Sequence, residues 1–160
     1  MKIHCIFKVG DRVDSNGTIN NLLVGLFDDI IDLEEKALIT GEFKDISKND
    51  MHIIDAIGNC ETKNMSTLAK RLRVTVGTLT IAINNLVKKG YVNRLRSKQD
   101  KRVVLLSLSE KGERAFYKHK QFHWDMVGTI TSGLNQMEIE GLINTLEKVQ
   151  CFIKDYKKHE

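Results

Sequence analysis

The sequence contains no proline. Average usage of ~5% would place about eight in a chain of this length. Proline breaks helix interiors, so its absence fits a helix-rich protein. Cysteine is sparse as well: Cys5, Cys60 and Cys151 are scattered and odd in number. No C-x-x-C spacing occurs, which argues against both a disulfide framework and a zinc knuckle. A reducing cytoplasm is the expected compartment. Long apolar runs are missing too. Charges interrupt every hydrophobic segment, and none reaches the ~20 residues a membrane span needs, so no membrane partner is expected. The opening MKIHCIFKVGDRVD has too short an apolar stretch for a secretory signal, and Lys8, Asp11 and Arg12 interrupt it. Also absent are G-x-S-x-G, a phosphate loop and any metal-plus-base constellation. No enzyme, catalytic residue or cofactor is therefore expected.

What is present is enough apolar material, 41% of 160 residues, to build one sizeable core without staples. The net charge is only +4, but it is unevenly placed. Lys63, Lys70, Arg71, Arg73, Lys88, Lys89, Arg94, Arg96, Lys98, Lys101 and Arg102 fall in one block whose only acid is Asp100, whereas the remainder of the chain is net acidic. A basic block in an otherwise acidic protein is an electrostatic footprint for a polyanion. A solvated lysine-rich face would give the same run of charge, so charge alone does not decide.

The apolar spacing supplies the architecture. After Gly17, Ile19, Leu22, Leu23, Leu26, Phe27, Ile30 and Ile31 recur in steps of three and four, predicting an amphipathic helix that Gly41 ends. Ser47, with Asp50 three residues on, opens a second helix in capping-box fashion, and Gly58 stops it. Ser66 is expected to cap a short third helix, TLAKRL. After a tight turn at Arg73-Val74, Thr75 caps a fourth helix, VGTLTIAINNLVKK, with Leu79, Ile83 and Leu86 facing the core and Gly90 as its stop. A short helix, a tight turn and a longer helix form the layout of a helix-turn-helix. The period then switches. Tyr91–Arg96 and Val103–Leu108 read as strands joined by the basic turn SKQDKR, a hairpin wing. Ser109 caps a long helix reaching about Gly133, and Asn135, with Glu138, opens the last one.

The first and last helices carry more apolar surface than a small lobe covers, which predicts antiparallel packing with a second copy. The expected fold class is mainly α with a small β-hairpin: a winged helix-turn-helix lobe plus N- and C-terminal dimerisation helices. Its parts are an N-terminal extension (1–17), a dimerisation helix (18–45), the winged lobe (46–109), and a long helix with the C-terminal dimerisation helix (110–160).

These residues resemble a known family. S-T-L-A-K-R-L-R-V-T-V-G-T-L-T, then L-V-K-K-G-Y-V-N-R, then D-K-R-V-V-L-L-S-L-S-E-K-G look like the multiple-antibiotic-resistance regulator (MarR) family. The most specific parts are the wing's D-x-R (Asp100, Arg102) and the L-S-x-K-G that follows (Leu108 to Gly112). The resemblance spans about residues 18 to 158. It implies a homodimer whose lobes straddle a palindromic duplex operator, and a small ligand held between lobe and dimer helices. The fourth helix would enter the major groove with Thr75, Gly77, Thr78, Thr80, Ile81, Asn84 and Asn85 toward DNA or its rim. Threonines can bond phosphates or touch thymine methyls, and an asparagine can pair bidentately with adenine. Many relatives have arginine where this chain has Val76 or Ile81, so an A·T-rich operator is expected. Arg102 would insert into the minor groove, oriented by Asp100. Lys70, Arg71, Arg73, Arg96, Lys98 and Lys101 would meet phosphates or flank the wing.

F-K-D-I-S (Phe43 to Ser47), H-I-I-D-A-I-G (His52 to Gly58) and K-H-K-Q-F-H (Lys118 to His123) look similar to the fatty-acid-synthesis repressors of that family. This implies an acyl chain, presented on acyl carrier protein, as corepressor. Leu23, Phe27, Ile30, Met51, Ile54, Phe122 and Met126 would line its channel, although apolar helical spacing by itself describes plain core equally well. Two rival sensors are weighed. His119 and His123 sit four apart on one helix, a spacing that can hold a metal, but no third ligand is evident in the sequence, so no metal is expected. Cys5 has no resolving partner and no cause for a lowered pKa. A winged helix can also serve as a protein-interaction module without DNA.

Overall fold

The computed structural model describes residues 15–58, 63–97, 100 and 103–156. Helix α1 (Ser15–Leu38) leads through a 3₁₀ turn (Gly41–Phe43) to α2 (Lys48–Ile57). Strand β1 (Lys63–Asn64), α3 (Met65–Leu72), α4 (Val76–Lys88), β2 (Val92–Arg96) and β3 (Val104–Leu108) complete the lobe. Helices α5 (Glu110–Thr131) and α6 (Gln136–Tyr156) follow. The three strands pair antiparallel in the order β1-β3-β2, with Arg94 opposite Leu106 and Lys63 opposite the same residue from the other side. The fold class predicted from the sequence, mainly helical with a small wing sheet, is the one observed.

Local chemistry explains the element ends. Ser47 Oγ accepts from Asp50 N at 3.1 Å while Asp50 Oδ2 accepts from Ser47 N at 3.0 Å, closing the predicted capping box of α2. Thr75 and Ser109 cap α4 and α5 as expected, each accepting from the amide three residues on. Asn135 and Glu138 exchange the same reciprocal pair at the start of α6. The third helix departs from expectation: its cap is Asn64, whose Oδ1 accepts from Thr67 N at 2.8 Å, and Ser66 already lies inside the helix. Asn64 also pairs in β1, a two-residue strand too short to leave a period in the sequence. Helix α1 begins at Ser15, ahead of the expected start after Gly17, and ends at Leu38, leaving Gly41 to begin the 3₁₀ turn at φ +56°.

The core lies where α2, α3, α4 and α5 meet the sheet. Ile54, Ile57, Leu68, Leu79, Ile83, Leu86, Tyr91, Leu106 and Ala115 are among its fully enclosed members, with Leu38 and Met51. Burying such side chains contributes about 1.5–3 kcal/mol each for the large aliphatics. Gly112, in the first turn of α5, faces the chain at Tyr91 so closely that an added Cβ would run into the Tyr91 carbonyl oxygen. That same carbonyl accepts from Ser109 N at 3.0 Å. The L-S-x-K-G stretch thus seats α5 on the corner between α4 and β2, and only glycine allows so close an approach.

By contrast, α6 has no buried residue, and Ile19, Leu22, Leu26 and Phe27 of α1 are exposed. No helix among the described residues is long and apolar enough to cross a membrane.

Candidate nucleic-acid interface

Helix α4 is amphipathic by sequence and is seated accordingly. Leu79, Ile83 and Leu86 are buried, which turns Thr75, Gly77, Thr78, Ile81, Asn84 and Asn85 outward, with Thr80 half-buried at the edge. Ile81 is 68% exposed, so its apolar side chain is offered to a partner and not to the core. Thr75 Oγ1 and Thr78 Oγ1 lie 2.9 Å apart, and Thr80 Oγ1 donates back to the Val76 carbonyl. The angle between α3 and α4 is set by Arg73, at φ +56° in the left-handed region, where its amide reaches back to carbonyls of α3. This is a strained setting for a residue bearing a Cβ.

The basic residues separate into distinct settings. Lys70 and Arg96 are exposed. Arg71 is anchored, its Nη1 donating to the Ala56 carbonyl at 3.1 Å, so it ties α3 to the end of α2. Arg73 lines an open cleft together with Leu146, Val149 and Ile153 of α6. Arg94, on β2, donates from Nη1 to Asn84 Oδ1 at 2.8 Å and links the wing to α4. The hairpin loop closes through Val103 N donating to the Asp100 carbonyl at 2.9 Å. Lys98, Lys101 and Arg102 lie outside the described residues. A cleft between α3, α4 and the hairpin is lined by Ser66, Thr67, Val76, Thr80 and Arg94.

An exposed, threonine- and asparagine-rich helix beside a basic hairpin is a duplex-reading surface in form, and the comparisons agree. The MarR family model matches residues 46–104. The transcriptional regulator SarZ of Staphylococcus haemolyticus is 32% identical over 115 residues, 72% of this chain and 77% of the relative. The chain belongs to the MarR family. Among solved structures, Streptococcus pneumoniae FabT in complex with DNA matches with TM-score 0.82 and 41% identity over 88% of this chain and 98% of FabT. A mutant E. coli MarR complexed with operator DNA matches with TM-score 0.61 and 26% identity over 88% of this chain and 99% of that one. This MarR-family chain is a transcriptional regulator, not an enzyme.

A second cluster joins the lobe of this MarR fold to its outer helices. Glu34 of α1 and His119 of α5 are buried, and His119 Nε2 lies 2.8 Å from Glu34 Oε1. His123 Nε2 lies 3.0 Å from the same His119 nitrogen. On the other side of the ring, Nδ1 is 3.6 Å from Asp55 Oδ1 of α2, which Lys120 also approaches at 3.1 Å. Contact with Asp55 and then Glu34 outweighs burial and raises the His119 pKa. Burial, with the charge of His119, lowers that of His123. The Asp55 carboxyl is brought down to about 2, chiefly by His119 and against its burial. Among the described residues, Glu34, His119 and His123 form a group that could hold a metal.

The seven residues expected to line an acyl channel are dispersed in the single chain. Met51 and Ile54 are packed core, Leu23 and Phe27 are exposed, and Ile30, Phe122 and Met126 lie between these extremes. The clefts beside Arg73, Asn64, Asp32 and Asn49 include none of them, and the one between Glu34 and Lys48 includes only Met51. Sequence reasoning missed Glu34 and the Arg94–Asn84 link. Glu34 belongs to an acidic helix face, and its sole distinguishing mark was a position one turn on from the apolar Ile30 and Ile31.

Proposed function

We propose that this regulator is a homodimeric repressor that reads a palindromic, A·T-rich operator, with α4 in the major groove and the wing in the minor groove. The observation that carries this reading is the outward face of α4: Thr75, Thr78, Ile81, Asn84 and Asn85 stand exposed on a helix whose opposite side is core. Threonine hydroxyls suit phosphates, isoleucine suits thymine methyls and asparagine suits adenine; none of them is the arginine that reads guanine best. In the wing, Arg102 inserts into the narrow groove with Asp100 as its orienting carboxylate, and Lys98 and Lys101 meet phosphates. The exposed apolar stripes of α1 and α6 support a two-fold pair, in which each covers the other's surface. Such a chain would work in the cytoplasm, where its operator is.

Selection of bound duplexes from a random pool, followed by titration at two salt concentrations, tests the reading. The expected result is a two-fold symmetric A·T-rich consensus whose affinity falls steeply with salt. A G·C-rich consensus defeats the base-reading assignment. Absence of any duplex binding at low ionic strength defeats the whole reading and favours a protein-interaction module.

The likeness to FabT, together with the three stretches noted above, favours control of fatty-acid synthesis, with an acyl chain on acyl carrier protein as corepressor. Operator titration with and without long-chain acyl carrier protein tests this. Tighter binding is expected, and unchanged affinity removes the effector from the account.

A further inference from the structure

We propose that Lys111, Arg114 and Lys118 of α5 are positioning residues: they clamp the turn between α1 and α2, and so fix the half-site spacing that the regulator accepts. This inference rests on the two-fold, palindrome-reading pair proposed above.

The turn is the covalent path from α1 into the reading lobe. It passes through Gly41, at φ +56° and with open space around it, and Phe43, whose amide donates to the Thr40 carbonyl at 3.0 Å. Ile46 N closes its far side on the Phe43 carbonyl at 3.3 Å. A glycine in that setting readily absorbs backbone rotation. Phe43 and Ile46 are buried, which holds the turn down. Apolar burial is non-directional, however, and does not by itself set an angle.

Three cations of α5 supply the direction. Positions 111, 114 and 118 are spaced three and four apart, so they lie along one face of the helix. Each reaches a different point of the turn, in antiparallel order. Lys111 Nζ donates to Asp45 Oδ2 at 3.1 Å, Arg114 Nε to Glu42 Oε1 at 3.1 Å, and Lys118 Nζ to Thr40 Oγ1 at 3.2 Å. Arg114 Nη2 donates to the same Glu42 oxygen. Lys118 also stands 5.5 Å over the Phe43 ring, and Lys111 donates to the Lys89 carbonyl, just past α4, at 3.3 Å. A single exposed ion pair contributes little, but contacts that share one helix face and one turn act as a network.

The angle matters because the lobe is a lever. For a lobe about 30 Å across, a rotation of about 10° at one edge moves the far edge by about 5 Å, which exceeds the ~3.4 Å step between base pairs. Two-fold readers match the separation of their reading helices to that of the half-sites. A turn held firmly accepts one spacing, and a loosened turn accepts several.

Two measurements on the full chain test this. The first needs no DNA: amide hydrogen exchange is compared between the parent and Arg114→Ala/Lys118→Ala. The Phe43 and Ile46 amides should exchange about 3–10-fold faster in the variant, as the loss of two partly exposed contacts implies. The second uses the operator recovered by the selection above, together with versions lengthened or shortened by one base pair at its centre. The parent should bind the altered spacings at least about 10-fold more weakly, and the variant should lose most of that preference. The ratio of affinities for two spacings is blind to a plain loss of stability or of positive charge. Glu42→Ala, which opens the same contact while changing net charge in the other direction, should also narrow the ratio. Turn amides that exchange as in the parent, or a spacing preference that survives in both variants, overturn the clamp. A parent that binds DNA with no preferred spacing overturns the two-fold reading, and the role in spacing with it, however the turn amides behave.

Discussion

Arg94 Nη1 donates to the side-chain oxygen of Asn84 at 2.8 Å, across the gap between β2 and α4. A guanidinium has donors and no acceptor, so the atom facing it must be the amide oxygen. One lone pair of the Asn84 oxygen is therefore taken, and its NH₂ is the part of the amide left fully available to a partner lying against α4. Bidentate pairing with adenine requires both amide atoms. While Arg94 holds it, Asn84 is oriented by the wing and reads an acceptor such as a purine N7 or thymine O4 most readily, whereas the adenine contact of Asn85 has no such constraint from Arg94.

Replacing Arg94 should therefore change what is read as well as how tightly. Arg94→Ala is expected to alter the preferred base at the position facing Asn84 and to cost about 1–3 kcal/mol on the parental operator. Parallel selections from one random pool, with parent and variant, measure both. Identical consensus sequences would show that the pair has no part in discrimination.

The exposed and anchored cations should behave differently. Lys70 is exposed on α3, so Lys70→Ala should weaken operator and random duplex alike and lower the log–log salt slope by about one. Arg71 is tied to the Ala56 carbonyl, so Arg71→Ala should also lower the unfolding free energy, by about 1 kcal/mol for the lost hydrogen bond. Anisotropy titrations at several salt concentrations, with a denaturant curve for each variant, separate the two effects.

Gly112→Ala should be more damaging than an alanine in a helix ordinarily is. Its Cβ would meet the Tyr91 carbonyl oxygen, a backbone atom held in place by Ser109 N. Overpacking of this kind costs about 1–3 kcal/mol, read as a lower urea midpoint with an unchanged slope. Gly128→Ala, on the same helix and with open space around it, serves as the neutral comparison.

A pH dependence follows from Tyr91, whose hydroxyl donates to Asp45 Oδ1 at 2.6 Å. Burial of Asp45 works in the opposite direction, but the bonds from Tyr91 and Lys111 hold its carboxyl below the usual range. A depressed carboxylate contributes stability that is present above its unfolded pKa, about 3.9, and is lost as pH falls through the folded value. Tyr91→Phe removes part of that contribution. The stability gap between parent and variant should be largest near neutrality and narrow as pH drops below about 4. A gap that stays constant down to pH 3 would locate the loss in packing alone.

The legible parts of this molecule were those written in adjacent residues. Ser47 with Asp50, Thr75 before the apolar steps of α4, and Ser109 before α5 each carry their cap within one turn, so both ends of the bond are read together. The same rule misplaced the third helix. Ser66 and Asn64 are both good caps, and the choice was made by β1, which pairs with β3 across the chain. The outward face of α4 was legible because Leu79, Ile83 and Leu86 fix its opposite. The Glu34–His119 contact joins residues 85 positions apart. No local pattern reports such a meeting, since it depends on how α1 crosses α5. The seven residues expected along an acyl channel illustrate the converse: apolar spacing placed each on its helix, yet Met51 and Ile54 are packed core while Leu23 and Phe27 are exposed, and spacing does not distinguish these settings.

Helix α6 spans 21 residues without burying one of them. Under the two-fold pairing proposed above, its cover is borrowed from another molecule. Folding and association would then be one equilibrium, and the thermal midpoint would climb as the solution is made more concentrated. The quantity of regulator in a cell would set its own shape: scarce protein would be loosened at both ends, and abundant protein would be complete.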